Sequence, residues 1–325
     1  MQQRWYSAAC YAAIAGLTIV AGAQVHAQTF PVKPIRIIVP FAPGGGNDLL
    51  GRQFAARLSE AFSQAVFVDN RVGGGGNIGA ELTAKSPADG YTIMLASSSM
   101  AVSASFYPRL NYSATQDLTA MALVGGSPLV LVVHPLVPVK NVQDLVALSR
   151  KRKGGLDFGS NGTGSISHLS GVLLNDMAKI HITHIPYKSA GAVATALLGG
   201  EVDMGFPSLV SVIPHVRAGK LRALAVTTAK PASAMPDVPT MTTYFPGFET
   251  DAWWGFFAPA ATPAPILERL NSEIRKAHMS PEMRTVMARE GAESVWLASA
   301  DFTAFFKREI DKYARLVKLS GAKAE

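Results

Sequence analysis

The chain has 325 residues, 48% of them hydrophobic and only 16% charged. That excludes a disordered polymer and leaves room for two ordinary domains or one large one. With 30 Lys and Arg against 23 Asp and Glu, the formal charge is +7, a balance that favours anionic ligands. The N-terminus reads as a secretory signal. Arg4 supplies its positive end, residues 8–23 are small and apolar, and Val25-His26-Ala27 forms a cleavage site before Gln28. The one cysteine, Cys10, lies inside it, so the mature chain is expected to have no disulfide and no Cys-ligated metal. No later run is long and apolar enough for a bilayer. The mature chain is expected to be soluble and exported.

Residues 35–58 read IRIIVPFAPGGGNDLLGRQFAARL. The apolar, β-branched start is the composition of a buried strand. It breaks at Pro43-Gly44-Gly45-Gly46. Asn47 and Asp48 then suit a helix start, with Leu49, Leu50, Phe54 and Leu58 following at helical spacing. Strand, glycine loop and helix N-terminus in that order offer backbone N–H groups to an anion. The same glycines serve equally well in a plain tight βα bend. A nucleoside-triphosphate loop is excluded, because the Gly-Lys-Ser/Thr ending is missing.

Residues 65–69 predict a second strand, and Gly74, Gly76 and Gly79 then match G-x-G-x-x-G formally. A dinucleotide site wants an acid at the end of the next strand. That strand, residues 91–96, runs instead into Ser97-Ser98-Ser99, which argues against a dinucleotide. Ser97 and Ser98 sit where open α/β sheets bind ligands, so their hydroxyls either donate to a ligand or cap the next helix. Residues 117–124 and 128–134 predict strands and residues 142–151 a helix. The basic run Arg150-Lys151-Arg152-Lys153 complements that helix end and solvent, not nucleic acid.

Residues 156–160 open a second copy of the theme. A strand leads to the loop Asn161-Gly162-Thr163-Gly164-Ser165 and then to a helix over residues 166–177. No G-x-S-x-G occurs here, so Ser165 has no nucleophile elbow. His168 falls inside the helix, where packing competes with ligand contact. A strand over residues 181–186 leads to Tyr187, Lys188 and Ser189, then a helix over 192–198 and a strand over 202–206 that holds Asp203. Strand alternation puts His181 and His184 on opposite faces, a poor metal pair. Residues 221–228 predict a strand, and residues 251–259 are the most aromatic stretch. Thr262 is expected to cap a helix over residues 266–276, with Pro263 in its first turn. Ser280-Pro281 starts another helix, expected to end at Gly291. The last, over residues 302–318, carries a stripe of Phe302, Phe305, Phe306, Ile310 and Tyr313.

Taken together, several stretches resemble the Bug (TctC-like) family of periplasmic solute-binding receptors, some of which serve tripartite tricarboxylate transporters. They are residues 34–48, residues 70–79, Asp89-Gly90-Tyr91, Tyr187-Lys188, residues 199–203, residues 246–249 and residues 254–259. Departures are Val72, where the family usually has Pro, Ser189, where it often has Gly, and residues 241–245. The resemblance implies an α/β, type II-like periplasmic binding protein of two lobes with a ligand cleft between them. Residues 28–127 and 229–325 would form the first lobe and residues 128–228 the second. The strands at 128–134 and 221–228 are the candidate crossings.

The ligand so implied is a small carboxylate or dicarboxylate. Its expected contacts are Phe41, Ala42, Pro43, Gly44, Gly45, Asn47 and Asp48, then Ser97 and Ser98. From the second half come Asn161, Thr163, Ser165, His168, Tyr187, Lys188 and Ser189, with Asp203 more apt to order its own loop. Neither glycine loop contains Lys or Arg, so Lys188 and Arg52 are expected to be secondary. The implied partners are membrane permease subunits or, alternatively, a sensor kinase. A monomer without cofactor, metal or catalysis is expected. The competing class, an exported enzyme, lacks the elbow, the ribose acid, a cysteine and any clustered His/Asp/Glu set.

Overall fold

A computed structural model of the chain describes residues 30–44, 46–187, 190–289 and 292–322. The proposed signal, Gly45, Lys188, Ser189 and Gly291 lie outside them. Two five-stranded mixed sheets carry the fold. In the first, β1 (Ile35–Val39) lies between the parallel strands β2 (Val66–Asn70) and β3 (Thr92–Ser97). Ile35, Ile37, Ile38 and Val39 are fully buried, as a strand covered on both faces requires. Helix α1 (Gly46–Phe62) follows the glycine loop as expected; α2 (Asn77–Ala84) and α3 (Ser99–Phe106) follow β2 and β3. Then β4 (Leu118–Ser127) ends the first pass.

The second sheet is built from β5 (Val130–Val133), β6 (Leu156–Ser160), β7 (Ile182–Pro186), β8 (Met204–Gly205) and β9 (Arg222–Val226), in the order β7-β6-β8-β5-β9. Its helices are α4 (Val142–Lys151), α5 (Ile166–Ala178), α6 (Ala190–Gly199) and α7 (Leu209–Arg217). The chain then returns to the first sheet through β10 (Ala252–Pro259), which inserts antiparallel between β3 and β4. Helices α8 (Ala264–Met279), α9 (Pro281–Arg289) and α10 (Ser299–Ser320) complete it.

The aromatic stretch is therefore an interior strand that ties β4 to the rest of the first sheet. Trp253 and Phe257 meet Phe302 and Phe306 of α10 at ring-centre distances of 5.2–5.9 Å. Trp253 Nε1 donates to the buried Glu309 at 3.0 Å. Thr262 does not cap α8 as expected. Its hydroxyl donates to the Pro259 carbonyl at 2.7 Å, and Pro263 occupies the N-cap.

The candidate crossing strands both belong to the second sheet; the chain passes between sheets at residues 128–129 and again after Val226. There the two passages clasp one another. Thr227 N donates to Leu129 O at 2.9 Å, and Leu129 N donates to Thr227 Oγ1 at 3.1 Å. Thr227 Oγ1 also lies 2.9 Å from Asp251 Oδ1. Burial pushes the Asp251 carboxyl up to about 7. Among the described residues no helix is long and apolar enough to cross a membrane.

Candidate functional site

Both glycine loops fall at the carboxyl ends of parallel strands and at the start of a helix, the placement at which α/β sheets bind ligands. In the first, Ala42, Pro43 and Gly44 are exposed, while Asp48 is only 2% exposed. Asp48 accepts from Gly44 N and Arg52 Nε, each at 2.9 Å, and from Asn70 Nδ2 at 3.0 Å. The Arg52 guanidinium, helped by the Gly44 amide and Asn70, lowers its carboxyl to about 2. Asn70 Nδ2 also reaches the Phe41 carbonyl at 3.0 Å. Asp48 is thus the clasp of the loop, not a group held out to a ligand. Arg52 is spent on it.

The second loop is braced the same way. Asn161 N donates to Ser167 Oγ at 3.0 Å, Gly162 N to Ser160 Oγ at 3.2 Å, and Gly164 N to His168 Nδ1 at 3.1 Å. Ser165 is the N-cap of α5 and accepts from His168 N. Three amides that the sequence seemed to offer an anion are therefore used within the loop. Thr163 remains exposed, and among the described residues it makes no side-chain hydrogen bond to the chain.

His168 is 4% exposed and lies beneath the loop, stacked on His184 at 3.9 Å between ring centres. Burial and the neighbouring His184 lower it to about 4. A neutral ring with Nδ1 unprotonated is what the Gly164 amide requires. His168 thus braces the loop from below. Ser160 Oγ is 2.6 Å from His184 Nε2, but Ser160 is fully buried.

Tyr187 N donates to Ser160 O at 2.9 Å, which places Tyr187 beside the second loop. Ser97 Oγ pairs with Ser99 Oγ at 3.0 Å, and Ser98 is buried without capping α3. Asp203 is elsewhere. It accepts from Arg152 at 2.7 Å and from Asp157 N at 2.9 Å, at the start of β6. The loop at Ser160 lies three residues further, about 10 Å away. Asp203 ties strand ends together and does not join the other candidates.

A chain of contacts links the two loops. The Phe41 ring lies against Gly76, Tyr107 and Ser103 against Gly75, and Phe106 at the end of α3 lies over Gly164. A Cβ on Gly164 would sit 2.9 Å from that ring, and its φ of +79° is itself a glycine conformation. Two residues outside the expected contacts also belong here. Trp254 pairs with Ser97 across the sheet and donates from Nε1 to Asn47 Oδ1 at 2.9 Å. Ser208, at the start of α7, faces the same cavity as Asn47 and Trp254. Helix α7 holds Pro214 in its interior, which hides its helical pattern in the sequence. The Pro207-Ser208 start was the only local signal.

The sequence profile of the family described as "Tripartite tricarboxylate transporter family receptor" matches residues 50–322. BugT of Bordetella pertussis (strain Tohama I) is 39% identical over 305 residues, 93% of each chain. Among solved structures, R. palustris Rpa4515 with adipate matches with a TM-score of 0.76 and 33% identity, covering 90% of this chain and 99% of that one. MatC (Rpa3494) from Rhodopseudomonas palustris with bound malate gives 0.73 and 29%, over 89% and 100%. The fold common to these proteins is the two-lobed periplasmic binding fold.

Proposed function

The chain belongs to the tripartite tricarboxylate transporter family of receptors, and we propose that it captures a small carboxylate in a cleft between its lobes. Residues 28–127 with 229–325 form one lobe and residues 128–228 the other, and the clasp of Leu129, Thr227 and Asp251 is the hinge. One observation carries the reading. Phe106, at the end of α3 in the first lobe, lies over Gly164 in the loop of the second, which supports a cleft that the second loop and the first lobe border together. Helix N-termini hold carboxylates through amides and dipoles without a fixed cation. The adipate and malate carried by the structural neighbours are ligands of that chemistry.

The receptor does no chemistry of its own. Ser160 lies close to His184 but is itself fully buried, with no orienting third group among the described residues. Binding closes the lobes, and a membrane permease reads the closed form. The signal is removed near Ala27 and the mature protein works in the periplasm. A thermal-shift screen of mono- and dicarboxylates tests the reading. A ligand at one hundred times its dissociation constant should add about 2.7 kcal/mol of stability. No shift from any carboxylate would overturn the assignment.

A further inference from the structure

Beside the first loop lies a chamber of about 280 Å³. Asn47 and Leu50 line it from α1, Ala252 and Trp254 from β10, and Met287 from α9. Ser208 reaches it from the start of α7 in the other sheet. None of its described lining residues carries a charge. Trp254 Nε1 is already committed to Asn47 Oδ1, which fixes the Asn47 amide. Asn47 Nδ2 is buried and, among the described residues, has no hydrogen-bond partner.

We propose that this chamber takes the body of the ligand, and that the preferred ligand is a monocarboxylate with an uncharged aryl or branched-alkyl body. The inference rests on the carboxylate reading above and narrows it. The chamber starts at Gly46 and Asn47, the first residues of α1. A carboxylate seated on the first loop therefore has its body at the chamber's mouth. A second carboxylate inside would give up its water and meet no cation among the described residues, a desolvation cost that an uncharged body avoids. An apolar body loses nothing there. A ring also gains from the indole of Trp254. Size agrees: a dry cavity of about 150 Å³ holds benzene, so this one holds a ring with a short arm.

Calorimetric titration of the mature protein with phenylacetate and with succinate tests the proposal. Wild type should bind phenylacetate at least tenfold tighter. Ala252→Leu fills the chamber without touching either loop, and should weaken phenylacetate at least tenfold while leaving succinate within twofold. Ala252→Ile, a filler of a different shape at the same place on β10, should do the same. Retained succinate binding shows that each variant is folded. Succinate binding tighter than phenylacetate, or equal loss of both ligands in the two variants, overturns the chamber proposal but not the receptor reading. Failure of every carboxylate to bind overturns both.

Discussion

Replacing Asp48 by alanine is expected to cost about 3 kcal/mol of stability and at least tenfold in carboxylate affinity. The Asp48 carboxylate accepts from Gly44 N, Arg52 Nε and Asn70 Nδ2. Hydrogen bonds to a charged group contribute about 1.5–3 kcal/mol each. They do not add fully, because Arg52 can turn to solvent and Asn70 keeps the Phe41 carbonyl. Without the clasp the exposed residues 42–44 have no carboxylate to hold the Gly44 amide, and ordering them is charged against binding. Asp48→Asn, which keeps an acceptor for Gly44, should lose about half as much. Because the folded carboxyl titrates at about 2 and the free one near 3.8, this stabilisation is full above pH 4. It is lost as pH falls through about 2. Urea unfolding and calorimetric titration of both variants measure the two effects. Unchanged affinity in a destabilised Asp48→Ala protein would remove the first loop from the site.

His168 sets the second large effect, an acid sensitivity beginning near pH 6.5. In the fold its ring titrates at about 4, lowered by burial and by His184 from 6.5 in the free state. As pH falls below 6.5 the unfolded chain takes up the proton first, so stability falls with pH across that window. Over the full shift this amounts to about 3 kcal/mol. Protonation also removes the lone pair that accepts the Gly164 amide, so the loop should loosen with it. Asp251 works the other way. Its raised folded pKa of about 7 stabilises the protein on acidification between about 7 and 4. A comparison with His168→Gln cancels that contribution. Between pH 7 and 4 the variant should lose markedly less stability than wild type in urea melts. Parallel slopes would mean that His168 is not titrating as a buried neutral ring.

The elements legible in the sequence are those whose signal is local. β1 with α1, and β6 with α5, announce themselves as an apolar run, a glycine break and a helical period within two dozen residues. The stripe of α10 was equally plain. β10 was seen as aromatic but not as a strand, because its role is set by pairing with β3 and β4, far away in the chain. The placement of the two glycine loops was readable for the same local reasons: both end parallel strands. Their wiring was not. Asp48 looked like a free helix-start acid until Asn70, 22 residues on, was placed against it. Trp254 reaches Asn47 across 207 residues, a contact no local pattern carries. The amides of Gly44, Gly162 and Gly164 seemed available for the same reason. Whether an N–H is free depends on which side chain folds back to it.

The structure of the protein with its tightest carboxylate bound decides whether both loops hold the ligand. The expected complex has one carboxylate ligand contacting donors of both residues 41–48 and residues 161–167 at about 2.7–3.2 Å, in a molecule whose lobes have closed on it. A carboxylate held by one loop alone with the other remote, or by a lysine or arginine outside both loops, would contradict it.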